Sequence, residues 1–197
     1  MLDQIFESIW SFGWVQWLAF LFNILYVILA ARENIWCWLF GLLGVIFLFV
    51  IYLDARLFSD ALLQVFYMIM SIYGWISWSK RNENSREIRF ASFPSHVLYI
   101  ATGLAGTLLL GFIFSHFGAA LPYVDAFTSS FAVVTTFLVA RKIIENWLYW
   151  IVIDMVCVVV YVNRSLPLIA FLFFIYTVLA VYGWVQWRNK YGQELQA

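Results

Sequence analysis

Seven membrane-spanning helices, arranged as three plus one plus three, are what this sequence predicts. Three observations carry the prediction. The 197 residues are 65% hydrophobic and only 11% charged, more apolar surface than a water-soluble domain of this size can hide. Seven stretches reach or approach the ~20 apolar residues a helix needs to cross the hydrocarbon core. A three-helix pattern also occurs twice, once on each side of a single helix.

The helices are predicted over residues 11–31, 36–53, 58–79, 96–117, 123–141, 147–163 and 167–188. Pro167 suits the first turn of the last one, where its missing N–H leaves no bond unmade. Short polar breaks separate most of them: Arg32-Glu33-Asn34, Asp54-Ala55-Arg56, and Arg141 to Asn146. The one extended hydrophilic linker runs from Lys80 to Ser95. The chain thus divides into a first three-helix repeat (1–79), a linker with connector helix 4 (80–122) and a second repeat (123–197). The start, Met1 to Glu7, holds acids and no basic run, so a cleaved signal peptide is not expected there.

Basic residues set orientation, because they are retained on the cytoplasmic side. With an extracytoplasmic N-terminus, the inner loops hold Arg32, Lys80, Arg81, Arg86, Arg89, Arg141, Lys142, Arg188 and Lys190, and the outer loops hold only Arg56 and Arg164. A multi-pass protein of a bacterial inner membrane, with its C-terminus in the cytoplasm, is the expectation. Net charge is zero, which offers nothing to nucleic acid. The two cysteines, Cys37 and Cys157, lie in apolar runs without metal-ligand spacing and read as small buried side chains.

Two matched motifs carry the repeat. Tyr73-Gly74-Trp75 with Trp78 returns as Tyr182-Gly183-Trp184 with Trp187, at an offset of 109, and Tyr67 matches Tyr176. Ala31-Arg32-Glu33-Asn34 with Trp38 is similar to Ala140-Arg141 and Glu145-Asn146 with Trp150, where Glu-Asn and Trp match at 112. That second offset would pair Asp154 with Leu42 and Asn23 with Thr135. The lone helix 4 restores parallel orientation of the second unit. Parallel repeats of this kind place a solute site near the midplane, where the repeats meet.

The Glu145-Asn146-Trp147-Leu148-Tyr149-Trp150 opening of helix 6, the Tyr-Gly-Trp-x-x-Trp endings and Leu63-Gln64-Val65-Phe66 together resemble the bacterial nicotinamide riboside transporter family, PnuC, over about Phe20 to Lys190. The resemblance implies a SWEET-like fold and uptake of a vitamin precursor by facilitated diffusion. It also implies homotrimers and a cytoplasmic kinase that traps the product without required contact. No cofactor and no metal are implied. Asp154 stands where the nicotinamide riboside members carry Asn. Branches that resemble the family carry thiamine (PnuT), deoxynucleosides or riboflavin. Nicotinamide riboside and thiamine are cationic, so an acid suits either; nicotinamide riboside is favoured.

Asp154 is the residue on which the functional reading turns. A carboxylate at the centre of a spanning helix costs about 2.5–3.5 kcal/mol on insertion scales and normally faces a protein interior or water. Asn146, Trp150 and Asp154 recur every four residues on one face of helix 6, with Trp147 beside them. Indole and carboxylate together make a cradle for a flat cation. On helix 3, Gln64, Tyr67, Ser71, Trp75 and Trp78 form one polar and aromatic stripe; Gln64 suits a ribose hydroxyl or an amide. Asn23 is a further candidate in mid-helix 1.

Blander readings stand beside these. Asn23 and Gln64 could bond between helices, and Asp154 could pair with Asn23 or Tyr161. Trp14 and Trp17, and also Trp75, Trp78, Trp184 and Trp187, fit an interfacial belt; the last four equally fit a gating or packing role. His96 and His116, unpaired by motif, read as solvated or interfacial, and Gly41, Gly44, Gly103 and Gly106 as close helix packing. No phosphate loop, zinc motif or nucleophile elbow occurs, so an enzyme is not expected. A proton-coupled transporter using Asp154, and a membrane receptor without turnover, are the alternatives to passive transport.

Overall fold

The structure, a computed structural model, describes residues 13–56, 58–79, 88–118 and 120–196. Within them lie seven helices: α1 Trp14–Ala31, α2 Cys37–Asp54, α3 Phe58–Ser79, α4 Phe93–His116, α5 Pro122–Ala140, α6 Asn146–Asn163 and α7 Pro167–Glu194. All seven are long and apolar enough to cross a membrane. Two boundaries move from expectation. Pro94 sits in the first turn of α4, so the helix starts before His96. α7 continues six residues past Arg188, because nothing in Asn189–Glu194 breaks a helix. The basic residues 80, 81 and 86 lie outside the described residues.

Six helices close a ring. α1 packs on α2, α2 on α3, α3 on α5, α5 on α6, α6 on α7, and α7 returns to α1. α4 stands outside, packed along α5. Small residues let the α4 and α5 backbones approach: a methyl group on Gly103 would lie 2.6 Å from the Phe131 ring. The seams α3–α5 and α7–α1 are equivalent, as a two-fold axis along the bundle would make them.

The backbone repeats at one offset throughout. Glu33 and Lys142 have φ of 53° and 54°, and Arg56 and Ser165 have 58° and 59°. Each ends a helix in the left-handed conformation, where the N–H groups turn back to orphan carbonyls. Glu33 N–H donates to Ala30 O and Asn34 N–H to Leu29 O; Lys142 and Ile143 donate in the same way to Val139 and Leu138. The equivalent glycines hold equivalent indoles, Gly74 against Trp38 and Gly183 against Trp147. These pairs differ by 109 in number. The 112 match is therefore corrected: Trp38 corresponds to Trp147, not Trp150. Asp154 corresponds to Val45, not Leu42, and Asn23 to Ala132, not Thr135. The residues Glu-Asn recur three positions off the structural register, so their identity misleads where the backbone does not.

Candidate substrate site

α3 and α6 each turn branched apolar residues outward and polar ones inward. On α3, Leu62, Val65, Ile69, Ile72 and Ile76 are exposed, whereas Gln64 and Ser71 are buried. On α6, Leu148, Val152, Met155 and Val159 are exposed, and Asp154 on the opposite face is only 4% exposed. Asp154 is the ninth of the 18 residues of α6, at the middle of the span. Lipid is therefore not its environment.

Among the described residues, no hydrogen bond or ion pair reaches Asp154, so a structural pairing with Asn23 or Tyr161 is not seen. Its carboxylate oxygens are also absent from the interior atoms that are both sealed and unpartnered.

One tyrosine, Tyr176, lies near Asp154. The hairpins α2–α3 and α6–α7 turn at Arg56 and Ser165, which brings residue 154 level with Tyr176 and residue 45 level with Tyr67. Tyr176 lies within electrostatic range of both Asp154 and Tyr52. Tyr67 neighbours Tyr52, and Tyr26 neighbours Tyr67. These four tyrosines come from α1, α2, α3 and α7, and the acid from α6. Gln64 is one turn beyond Tyr67. Its Nε2 reaches only Asp60 O, at 3.4 Å, and its Oε1 is sealed without a partner. Its counterpart is Phe173, stacked on Tyr161 at 5.5 Å and 9°.

The other candidates lie elsewhere. Asn23 donates to Ala19 O at 2.8 Å and fills the space above Gly44, so it packs α1 on α2. Asn146 is fully buried and donates to Ile143 O at 2.7 Å, at the very start of α6. Trp147 is 2% exposed and meets Trp187 edge-on at 5.5 Å. Both sit about two turns from Asp154. Trp150 is half-buried on the Asp154 face, between the two levels.

Trp147 belongs to a plug at the end of the ring that holds the α1–α2 and α5–α6 loops. Trp38 meets Trp78 at 5.4 Å and 87°, as Trp147 meets Trp187, and Trp78 touches Trp187 at 6.1 Å across the axis. Trp187, 1% exposed, donates to Ala30 O. An interfacial belt does not describe Trp78 and Trp187; packing does. Trp75 lies against Trp36 and Trp184 against Phe90 at the rim. Trp14 and Trp17, 71% and 42% exposed, fit a belt.

His96 is corrected. It is not a solvated side chain: its Nε2 lies 3.0 Å from Glu145 Oε1 and its Nδ1 3.1 Å from Tyr149 Oη. Glu145 also accepts the Ala91 N–H. His116 stays exposed at the end of α4, beside Phe112 O. Reasoning from the sequence missed Tyr26 and Tyr52, and took Tyr176 only as a repeat marker. Extending the 109 offset would have found the Tyr52–Tyr161 match, but not Tyr26, whose counterpart is Thr135.

Comparison with known proteins matches the fold. A family model described as Nicotinamide mononucleotide transporter matches residues 13–189. The nicotinamide riboside transporter PnuC of Escherichia coli (strain K12) is 25% identical over 209 residues, covering 92% of this chain and 87% of its own. The riboflavin/roseoflavin transporter RibM of Streptomyces davaonensis is 23% identical over 180 residues, with 88% and 84% covered. A crystal structure of the vitamin B3 transporter PnuC superposes with a TM-score of 0.74, at 23% identity, over 91% of this chain and 83% of the other.

Proposed function

We propose, from the premise that this chain belongs to the nicotinamide mononucleotide transporter family, that it takes up a cationic vitamin precursor, with nicotinamide riboside favoured, by facilitated diffusion. The observation that carries the reading is Asp154, a buried carboxylate at mid-span of a ring helix, without a partner among the described residues. A charge left so is costly unless something positive or polar meets it. A pyridinium ring would supply that charge.

The solute enters from the end opposite the tryptophan plug. Its ring settles between Asp154 and the face of Trp150, held by Coulomb and cation–π attraction. Tyrosine hydroxyls take hydrogen bonds from its amide or ribose, and Gln64 joins them by turning its sealed Oε1 toward the solute. The two three-helix halves then shift about their seams to open the other end. The basic residues at the plugged end favour a cytoplasmic assignment for it. Riboflavin, the cargo named for one relative, is neutral and gains less from the acid.

A binding titration separates the solutes. Purified protein is titrated with nicotinamide riboside, thiamine, riboflavin and a deoxynucleoside, read by tryptophan fluorescence. Tightest binding of a neutral solute would remove the electrostatic basis of the assignment. Uptake into vesicles with and without a pH gradient then decides against proton coupling if the gradient drives no accumulation.

A further inference from the structure

The two halves of the ring are joined by polar contacts at one end. Ser77 Oγ donates to Ala140 O at 3.1 Å and Trp187 Nε1 to Ala30 O at 3.0 Å. Glu33, in the α1–α2 loop, takes Lys142 on one carboxylate oxygen and Lys190 on the other. Lys142 also lies 5.2 Å above the Trp78 ring. The Glu33 side chain is 8% exposed and that of Lys142 15%, so solvent screens this pair far less than a surface pair. At the other end, the ion pair Arg164–Asp125 lies within one half, at 3.8 Å.

The placement of the pair is unusual. Glu33 and Lys142 are equivalent positions of the two halves, both left-handed, and they meet across the two-fold axis. Like residues there would repel. Opposite charges attract, and the second lysine, Lys190, comes from α7, whose seam with α1 must part if this end opens. A half-buried ion pair is close to energetically balanced, because separation returns both charges to water. Such a contact holds without locking. The tryptophans beneath it add the apolar seal.

We propose that Glu33 is the gate residue of the plugged end: it clasps Lys142 and Lys190 while that end is shut and releases both when the halves part. This rests on the transport reading, but its first test needs no solute. Cys37, fully buried, sits in a cluster that draws Ala30, Ala31 and Trp38 from one half and Val139, Ala140 and Trp147 from the other. It reports whether the halves separate.

In a Cys157→Ala background, Glu33→Gln should raise the labelling rate of Cys37, by a thiol reagent applied to protein in detergent, about tenfold or more. Lys142→Gln, which leaves Lys190 in place, should raise it less. Labelling unchanged in both variants overturns the proposal. A second experiment guards against a misfolded variant. In a chain lacking both native cysteines, Glu33→Cys and Lys142→Cys are bridged by a short, reducible bifunctional thiol reagent. Uptake of whichever solute the parent transports should fall at least tenfold and return on reduction of the same sample. Uptake that is equal before and after reduction means that these loops do not part, and overturns it as well.

Discussion

Asp154 and Val45 occupy equivalent places in the two halves of the ring, 4% and 8% exposed respectively, one ending in a carboxylate and the other in an isopropyl group. The halves share a backbone but not a charge. A single anion therefore lies to one side of the axis, in a scaffold whose tyrosines are duplicated, Tyr67 with Tyr176 and Tyr52 with Tyr161. An asymmetric solute in a near-symmetric scaffold needs this kind of difference.

Asp154→Asn keeps the shape and removes the charge. Binding of nicotinamide riboside and of thiamine should weaken by ~1–3 kcal/mol, the order of a charge-assisted contact, while riboflavin is affected little. Fluorescence titration of the purified variant measures this. Equal loss for all three solutes would point to a structural role instead.

Gln64 carries a sealed acceptor with no partner, which costs stability in the empty protein. Gln64→Leu should leave thermal stability in detergent unchanged or raised, yet weaken solute binding by about 0.5–1.5 kcal/mol, the net worth of one hydrogen bond. A drop in melting temperature together with intact binding would assign Gln64 to helix packing.

The glycines under the indoles test the packing of the plug. A methyl group on Gly74 would lie 2.3 Å from the Trp38 ring and one on Gly183 2.6 Å from Trp147, whereas one on Gly192 meets nothing within 4 Å. Gly74→Ala and Gly183→Ala should each cost ~1–3 kcal/mol by overpacking, with Gly192→Ala as the neutral control. Thermal unfolding in detergent gives the comparison.

Glu145 ties the end of the linker to the second half. It accepts the Ala91 N–H and holds His96, next to the bridge in which Arg89 N–H donates to Lys142 O and Ile144 N–H to Arg89 O. Glu145→Ala should loosen this docking by about 1–2 kcal/mol. Hydrogen exchange at Ala91 should quicken by roughly tenfold, with the ring helices unaffected. No change there would mean that the backbone bridge alone suffices.

The spans and the inward faces of α3 and α6 were legible before any coordinates. Hydropathy and helical periodicity are local properties, and lipid enforces them residue by residue. Asp154 was legible for the same reason: an acid at mid-span is conspicuous. The repeat was half legible. Tyr-Gly-Trp announced the true offset because Gly74 and Gly183 must yield to an indole. Glu-Asn announced a false one, since the left-handed helix ends at Glu33 and Lys142 carry no glycine to mark them.

What the sequence by itself determined is how many helices are long and apolar enough to cross a membrane, which faces of α3 and α6 are polar, and that one carboxylate lies at mid-span of α6. Only the tertiary structure decided that six helices close a ring with α4 outside, that Asn23 packs over Gly44 and Trp147 over Gly183, and that Glu33 meets two lysines. The physical reason is range. Burial is read off a single helix, but partnership depends on which residues far apart in the chain are brought together, here Glu33 with Lys142 and Lys190, and no local pattern records that.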